Sequence, residues 1–176
     1  LRPRGAPQPA RPAVSVPPTY DDPVTIRHLG THAAGFESTL DPDIVAEPDA
    51  VEPLGALLTN RQPSRIRRPG ELVGYSNCGA ALAGHLVAEA HDTTFEEYVQ
   101  SELFDPLGMT HSTFAQPVPA DQSGALAAPH VRDGESFQVA DDVYINMRPA
   151  GSLSATATDM AAFMRAHLGG GTVDGA

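Results

Sequence analysis

Hydrophobic side chains recur every three or four residues in several stretches of the chain, which is the spacing of one face of a helix. Local start signals support two of these stretches, because a threonine followed three positions later by an acidic residue can cap a helix. These signals are Thr94 with Glu97 and Thr156 with Asp159. The pattern predicts helices over residues 25–35, 50–60, 80–90, 94–105 and 156–168.

Strand signals are shorter, and they predict strands over residues 127–131, 137–139 and 143–145. Residues 1–23 hold seven prolines and predict an extended surface segment, because proline donates no backbone hydrogen bond. Residues 36–47 are predicted to be an acidic loop. The chain is therefore expected to be an α+β protein that is mostly helical, with one folded unit over residues 24–176.

Composition excludes several classes of function. All 11 basic residues are arginine, and the net charge of −11 argues against a nucleic-acid partner, which requires a basic surface. The single cysteine, Cys78, excludes an internal disulfide and a cysteine-based metal site. No apolar run approaches the roughly 18 residues that a membrane span needs.

The tripeptide Tyr75-Ser76-Asn77 is the strongest candidate for chemistry because it resembles the Y-x-N motif of the serine β-lactamases and penicillin-binding-protein-like hydrolases. It follows a turn predicted at residues 69–70 and precedes the helix predicted over residues 80–90. Acyl transfer needs a hydroxyl nucleophile, a base that takes its proton, and donors for the developing oxyanion. Tyr75 can act as that base only as a phenolate, so nearby cations must lower its pKa from the free value of about 10.

A second hypothesis makes Ser76 the nucleophile, because residues 74–79 nearly match the G-x-S-x-G elbow of α/β-hydrolases. Cys78 stands where the elbow needs glycine, and the chain lacks the alternating strands and helices of a doubly wound sheet. We therefore rank this hypothesis below the one based on Tyr75.

His28 and His32 stand one helical turn apart, as two zinc ligands could. Residue 29 is leucine where the H-E-x-x-H motif has glutamate, and no third ligand is evident. The pattern favours helix packing and loop bracing over metal binding. Cys78, near a helix start, is expected to be a buried structural thiol and not a nucleophile.

Four segments together resemble the serine β-lactamases and penicillin-binding-protein-like hydrolases of the class C type. The first is similar to the family's I-T-I-R-H-L-L-T-H-T-S-G segment, and the second to its Y-x-N motif. The third is similar to its P-L-G-M signature, and the fourth to its A-G-S-L-x-S-T-x-x-D-M segment. In this chain they are residues 24–36, 69–77, 95–114 and 149–160.

The resemblance implies roles for individual residues. Tyr75 is expected to be the general base, and Asn77 to position both the substrate and a catalytic lysine. Gly151 is expected near the substrate channel, with Arg148 and Tyr144 as further channel candidates. The family's S-x-x-K and K-T-G motifs supply the nucleophile and the lysines, and this lysine-free chain has neither.

The simplest interpretation is that the chain covers the middle of the domain: part of the helical subdomain of a β-lactamase or DD-peptidase-like fold, with the terminal antiparallel sheet largely missing. Alone, it is expected to be inactive. The complete protein is expected to be an extracytoplasmic monomer that needs no cofactor, acts on a small molecule or a peptidoglycan-like peptide, and is compatible with a membrane anchor. A non-catalytic domain that binds peptidoglycan remains the alternative.

Overall fold

A computed structural model describes residues 14–38 and 44–172. The α-helices are α1 (Ile26–Gly30), α2 (Leu54–Asn60), α3 (Asn77–Ala90), α4 (Phe95–Val99), α5 (Asp105–Leu107), α6 (Ala120–Ser123), α7 (Arg148–Gly151) and α8 (Ala157–Leu168). A 3-10 turn covers Pro48–Ala50, and a π-helical turn, Gln100–Phe104, joins α4 to α5. The strands are β1 (Ile44–Val45), β2 (His130–Asp133), β3 (Ser136–Val139) and β4 (Tyr144–Ile145).

The strands form two small antiparallel sheets. In the first, β1 pairs with β4, with Ile44 opposite Ile145. In the second, β2 and β3 form an exposed hairpin that turns at Gly134, which has φ +61°. Each sheet within the described ranges has two strands, so helices supply most of the core. The fold is α+β and mostly helical, which confirms the predicted class.

The main core surrounds α3, which packs against α1, α2 and α7. Its buried residues are Leu29, Ala34, Phe36, Leu54, Leu57, Leu58, Cys78, Ala81, Leu82 and Met147. Small residues on α3 permit these close contacts. A Cβ on Gly84 would lie 2.4 Å from Cγ of Pro149, so α7 approaches α3 at a distance that only glycine allows.

A second, smaller core lies between α8 and the segment that runs from α4 to α5. It is built on Val99, Phe104 and Met109. Phe114 joins it with its ring stacked on Phe104 at a centroid distance of 5.9 Å. None of the helices in residues 14–38 and 44–172 has both the length and the apolar character that a membrane span requires.

The structure corrects several predicted boundaries. The helix predicted over residues 50–60 begins only at Leu54, because Pro53 is its N-cap and a separate 3-10 turn precedes it. Helix α3 begins at Asn77, three residues before the predicted start, because Ser76 caps it. Within the predicted acidic loop, Ile44–Val45 forms β1, and residues 39–43 lie outside the described part. Residues 14–23 of the proline-rich segment carry no helix or strand, and residues 1–13 are not described.

The two predicted cap pairs behave differently. Thr94 and Glu97 form the full reciprocal capping box. Thr156 accepts the Asp159 N–H at 3.2 Å, but the Asp159 carboxylate does not complete a capping box with the Thr156 backbone N–H. It accepts the backbone N–H of His111 and the hydroxyl of Ser112, each at 2.8 Å. Asp159 therefore ties the loop after α5 to the start of α8.

Replacing Asp159 with alanine is expected to lower the free energy of unfolding by about 2 kcal/mol, because the buried Ser112 hydroxyl loses a charged acceptor. Asn keeps one acceptor oxygen, so Asp159→Asn is expected to cost less. Chemical denaturation measures both, with exposed Asp121→Ala as the matched control. A loss for Asp159→Ala no larger than that for Asp121→Ala would contradict the assignment.

The same carboxylate predicts a pH dependence. Burial from water alone would raise the pKa of Asp159, but hydrogen bonds from Ser112, His111 and Thr156 hold it below its ordinary value of 3.8. A folded-state pKa below the unfolded one makes the charged form stabilising. The advantage of wild type over Asp159→Asn is therefore full above pH 3.8 and declines as the pH falls below it. Unfolding curves at several pH values measure this difference.

Candidate functional site

Tyr75 lies at the end of the loop that connects α2 to α3, directly before the N-cap of α3. Tyr75 is 59% exposed, although the flanking Ser76 is buried. Tyr75 is therefore accessible to solvent in the described structure.

His32, which is distant in sequence, contacts this loop at three points. The carbonyl oxygen of His32 accepts the N–H of Gly74 at 2.8 Å. Nδ1 of His32 accepts the N–H of Ser76 at 3.3 Å. The imidazole packs against the ring of Tyr75 with a centroid distance of 4.7 Å and an interplanar angle of 39°. These contacts bring together His32 and the tripeptide, which the sequence singled out separately.

The surrounding backbone extends this contact. Residues 33–37 run antiparallel to residues 64–70, with the Gly70 N–H donated to Ala33 O at 2.8 Å and the Ile66 N–H to Gly35 O at 2.9 Å. Gly35 has φ +82°, and a Cβ there would lie 2.2 Å from the carbonyl oxygen of Arg67. The Tyr75 loop is therefore attached to the segment after α1 along its length. Sequence reasoning missed this pairing, because neither segment has strand periodicity.

Asn77 is the first residue of α3 and is half-buried. It follows Tyr75 by two positions, as the Y-x-N motif requires. An amide at a helix start supplies both a donor and an acceptor. The structure thus places Tyr75 and Asn77 at the same helix end.

Ser76 is a structural residue in this arrangement. Only 3% of it is exposed, and its Oγ accepts the N–H of Gly79 at 3.1 Å as the N-cap of α3. Its backbone is extended, with φ −146° and ψ 114°, and so lacks the strained turn of a nucleophile elbow. The geometry argues against the α/β-hydrolase hypothesis, as do the small antiparallel sheets of the described residues.

The other candidates near α1 and α3 also have structural partners. Nδ1 of His28 accepts the Thr25 N–H at 3.2 Å and so completes a capping box at the start of α1. Cys78 is 2% exposed and lies in the main core, as expected for a structural thiol. Within the described ranges, no three His, Cys, Asp or Glu side chains come together as a metal site would require.

Within residues 14–38 and 44–172, no hydrogen bond, ion pair or ring contact joins Tyr75 to the channel candidates Gly151, Tyr144 and Arg148. Gly151 ends α7 and lines a cavity of about 350 Å³, together with Tyr144, and Tyr75 is not among the lining residues. Arg148 is held by Glu96 in an ion pair and donates from Nη1 to Glu52 O at 3.0 Å. These contacts give Arg148 a structural role between α7 and α4.

Comparison with known proteins gives a consistent result. A family model described as Beta-lactamase matches residues 8–176. A putative penicillin-binding protein, PbpX of Bacillus subtilis (strain 168), is 23% identical over 132 residues, which cover 70% of this chain and 32% of that protein. A beta-lactamase of Yersinia enterocolitica is 28% identical over 145 residues, covering 82% of this chain and 35% of the relative.

Solved structures share the fold. A crystal structure of a class C beta-lactamase superposes with a TM-score of 0.61 and 25% identity, covering 83% of this chain and 38% of that one. The chain spans about a third of the length of the two relatives named above. Because the family model matches nearly all 176 residues, the chain belongs to the beta-lactamase family, a family of serine hydrolases related to the penicillin-binding proteins.

Proposed function

We propose that this chain forms one wall of the active site of a serine hydrolase that works through an acyl-enzyme. The substrate would be a β-lactam, a D-alanyl peptide or an ester. The observation that carries the proposal is the exposed Tyr75 at the start of α3, two residues before Asn77 and in contact with His32. Family membership and the names of the relatives, a penicillin-binding protein and a beta-lactamase, support the substrate class.

In the proposed reaction, a serine hydroxyl attacks the substrate carbonyl, and Tyr75 as phenolate takes the hydroxyl proton. The bond from the carbonyl carbon to the leaving nitrogen or oxygen then breaks, and Tyr75 returns the proton to that leaving atom. Asn77 orients the substrate amide and a lysine. The chain contains no lysine, so that lysine and the nucleophile on its helix would come from residues outside these 176. Arginine cannot replace this lysine as a proton carrier, because it stays protonated at any usable pH.

The proposal also covers the location, the oligomeric state and the cofactor requirement of the complete protein. A β-lactam or peptidoglycan-like substrate is met outside the cytoplasm, so we place the complete protein there as a monomer that acts on a small molecule or a peptide. No step in the proposed reaction requires a metal or an organic cofactor. The alternative is a domain that binds the same ligands and has lost the reaction.

Labelling with a fluorescent penicillin and with an activated ester tests the proposal. The full-length protein is expected to form a covalent adduct that adds the mass of the acyl group, while the 176-residue chain alone is expected to remain unlabelled. Full-length protein that binds the penicillin reversibly without forming an adduct would favour the non-catalytic alternative. Absence of both binding and labelling would overturn the proposal.

A further inference from the structure

His32 has an unusual backbone. Its φ of +54° lies in the left-handed region, which residues with a side chain seldom adopt. Such a conformation is retained only where the surroundings enforce it, and it often occurs at functional sites. Here it is associated with a hydrogen bond from the Gly74 N–H to the His32 carbonyl oxygen, on the N-terminal side of Tyr75.

The side chain of His32 acts on the other side of Tyr75. Nδ1 accepts the N–H of Ser76 at 3.3 Å, so the neutral ring carries its proton on Nε2. The same ring lies against the phenol ring of Tyr75, at a centroid distance of 4.7 Å. His32 therefore contacts the residue before Tyr75, the residue after it, and its aromatic ring.

The neighbouring histidine provides a comparison within the same segment. His28 also accepts a backbone N–H through Nδ1, but its donor is Thr25 at the start of its own helix. His28 thus caps α1, whereas His32 reaches a residue 44 positions away. The two histidines have the same hydrogen-bonding chemistry and different targets.

We propose that His32 is a positioning residue for Tyr75. Its carbonyl and Nδ1 fix the backbone on both sides of Tyr75, and its ring restricts the rotation of the exposed phenol. Tyr75 is more than half exposed, so few other packing contacts limit the direction of its side chain. The effect on catalysis rests on the proposed function, whereas the effect on the orientation of Tyr75 does not.

Two substitutions separate the contributions of His32. Asn tolerates a left-handed backbone and keeps an acceptor near the position of Nδ1, so His32→Asn removes mainly the ring contact. We expect the acylation rate constant of the full-length protein to fall about tenfold. Gly also accepts φ +54° but removes the ring and the acceptor, and we expect His32→Gly to lose about 100-fold. His28→Asn is the matched control and is expected to leave the rate within about twofold of wild type.

The direct measurement is the NMR spectrum of the protein with isotope-labelled tyrosine, in which Tyr75→Phe identifies the Tyr75 ring signals. Loss of the imidazole is expected to shift these signals in both His32 variants and to leave the signals of Tyr20, Tyr98 and Tyr144 unchanged. Reversible binding of the penicillin is expected to stay near wild type, because a misdirected base slows acylation without removing the binding site.

The outcomes distinguish the two claims. If Tyr75→Phe leaves acylation intact while the His32 variants still shift the Tyr75 signals, the proposed function fails and the positioning role stands. If His32→Asn folds normally and changes neither the Tyr75 signals nor acylation, the positioning role is overturned. Should His32→Gly fail to fold, His32→Asn alone decides, because it preserves the hydrogen bond and the backbone conformation.

Discussion

Replacement of Tyr75 by phenylalanine in the full-length protein is expected to lower the acylation rate constant by about two to four orders of magnitude. The change removes one oxygen atom, and with it the only group of the ring that can take a proton. The ring contact with His32 is made by carbon and nitrogen atoms and is retained. Stopped-flow measurement with a fluorescent penicillin or an activated ester gives the rate, and the unfolding midpoint is expected to be unchanged.

Ser76→Ala is the matched control for this experiment. The substitution removes the N-cap of α3 and is expected to cost about 1 kcal/mol of stability while leaving acylation within a few-fold of wild type. The α/β-hydrolase hypothesis predicts the reverse, with Ser76→Ala inactive and Tyr75→Phe active. A near-normal rate in Tyr75→Phe would therefore remove Tyr75 from the mechanism.

Gly35→Ala is expected to reduce the free energy of unfolding by about 4 kcal/mol. Part of this cost is the left-handed backbone, at φ +82°. The rest is a collision, because the new Cβ would lie 2.2 Å from the Arg67 carbonyl oxygen, which belongs to the backbone and cannot rotate away. Retreat of residues 64–70 would stretch the hydrogen bond from the Ile66 N–H to Gly35 O. Urea denaturation measures the loss.

Gly30→Ala supplies the comparison. Gly30 lies in α1, and a Cβ there would meet no atom within 4 Å. Alanine is a better helix former than glycine, so this change is expected to stabilise the protein by about 0.5–1 kcal/mol. The two substitutions add the same methyl group five residues apart, and their expected effects on the free energy of unfolding have opposite signs. Equal effects would show that the close approach at Gly35 is not rigid.

The helices could be predicted well where the signals that start them are local. Thr94 and Thr156 each cap the helix that the sequence assigned to them. A cap needs only an oxygen three residues before a free N–H, so sequence spacing alone identifies it. The predicted start of α2 was wrong because the hydrophobic periodicity continues through Pro53. This periodicity carries no information about the restriction that proline places on the backbone, which makes Pro53 the N-cap.

The contacts that shape the candidate site could not be predicted in this way. The partners His32 and Ser76 are 44 residues apart, and Asp159 and Ser112 are 47 apart. Nothing in the local pattern of either segment identifies its partner. Tyr75 and Asn77 came from the family resemblance, and their roles stay predictions until the substitutions are measured. The position of Gly151 depends on how α7 packs on Gly84 of α3, and the spacing of residues along the sequence does not reveal this packing.

The three contacts from His32 bear on whether the tripeptide can be transferred to another protein. A peptide that contains only Tyr75, Ser76 and Asn77 with a helix behind them would keep the cap but lose the histidine that holds the phenol. Closing a flexible loop of 44 residues costs about 3 kcal/mol of chain entropy beyond a constant, and the folded core offsets this cost in the native protein. Grafting the motif onto an unrelated scaffold therefore requires the segment after α1 as well, since the functional unit is two pieces of chain.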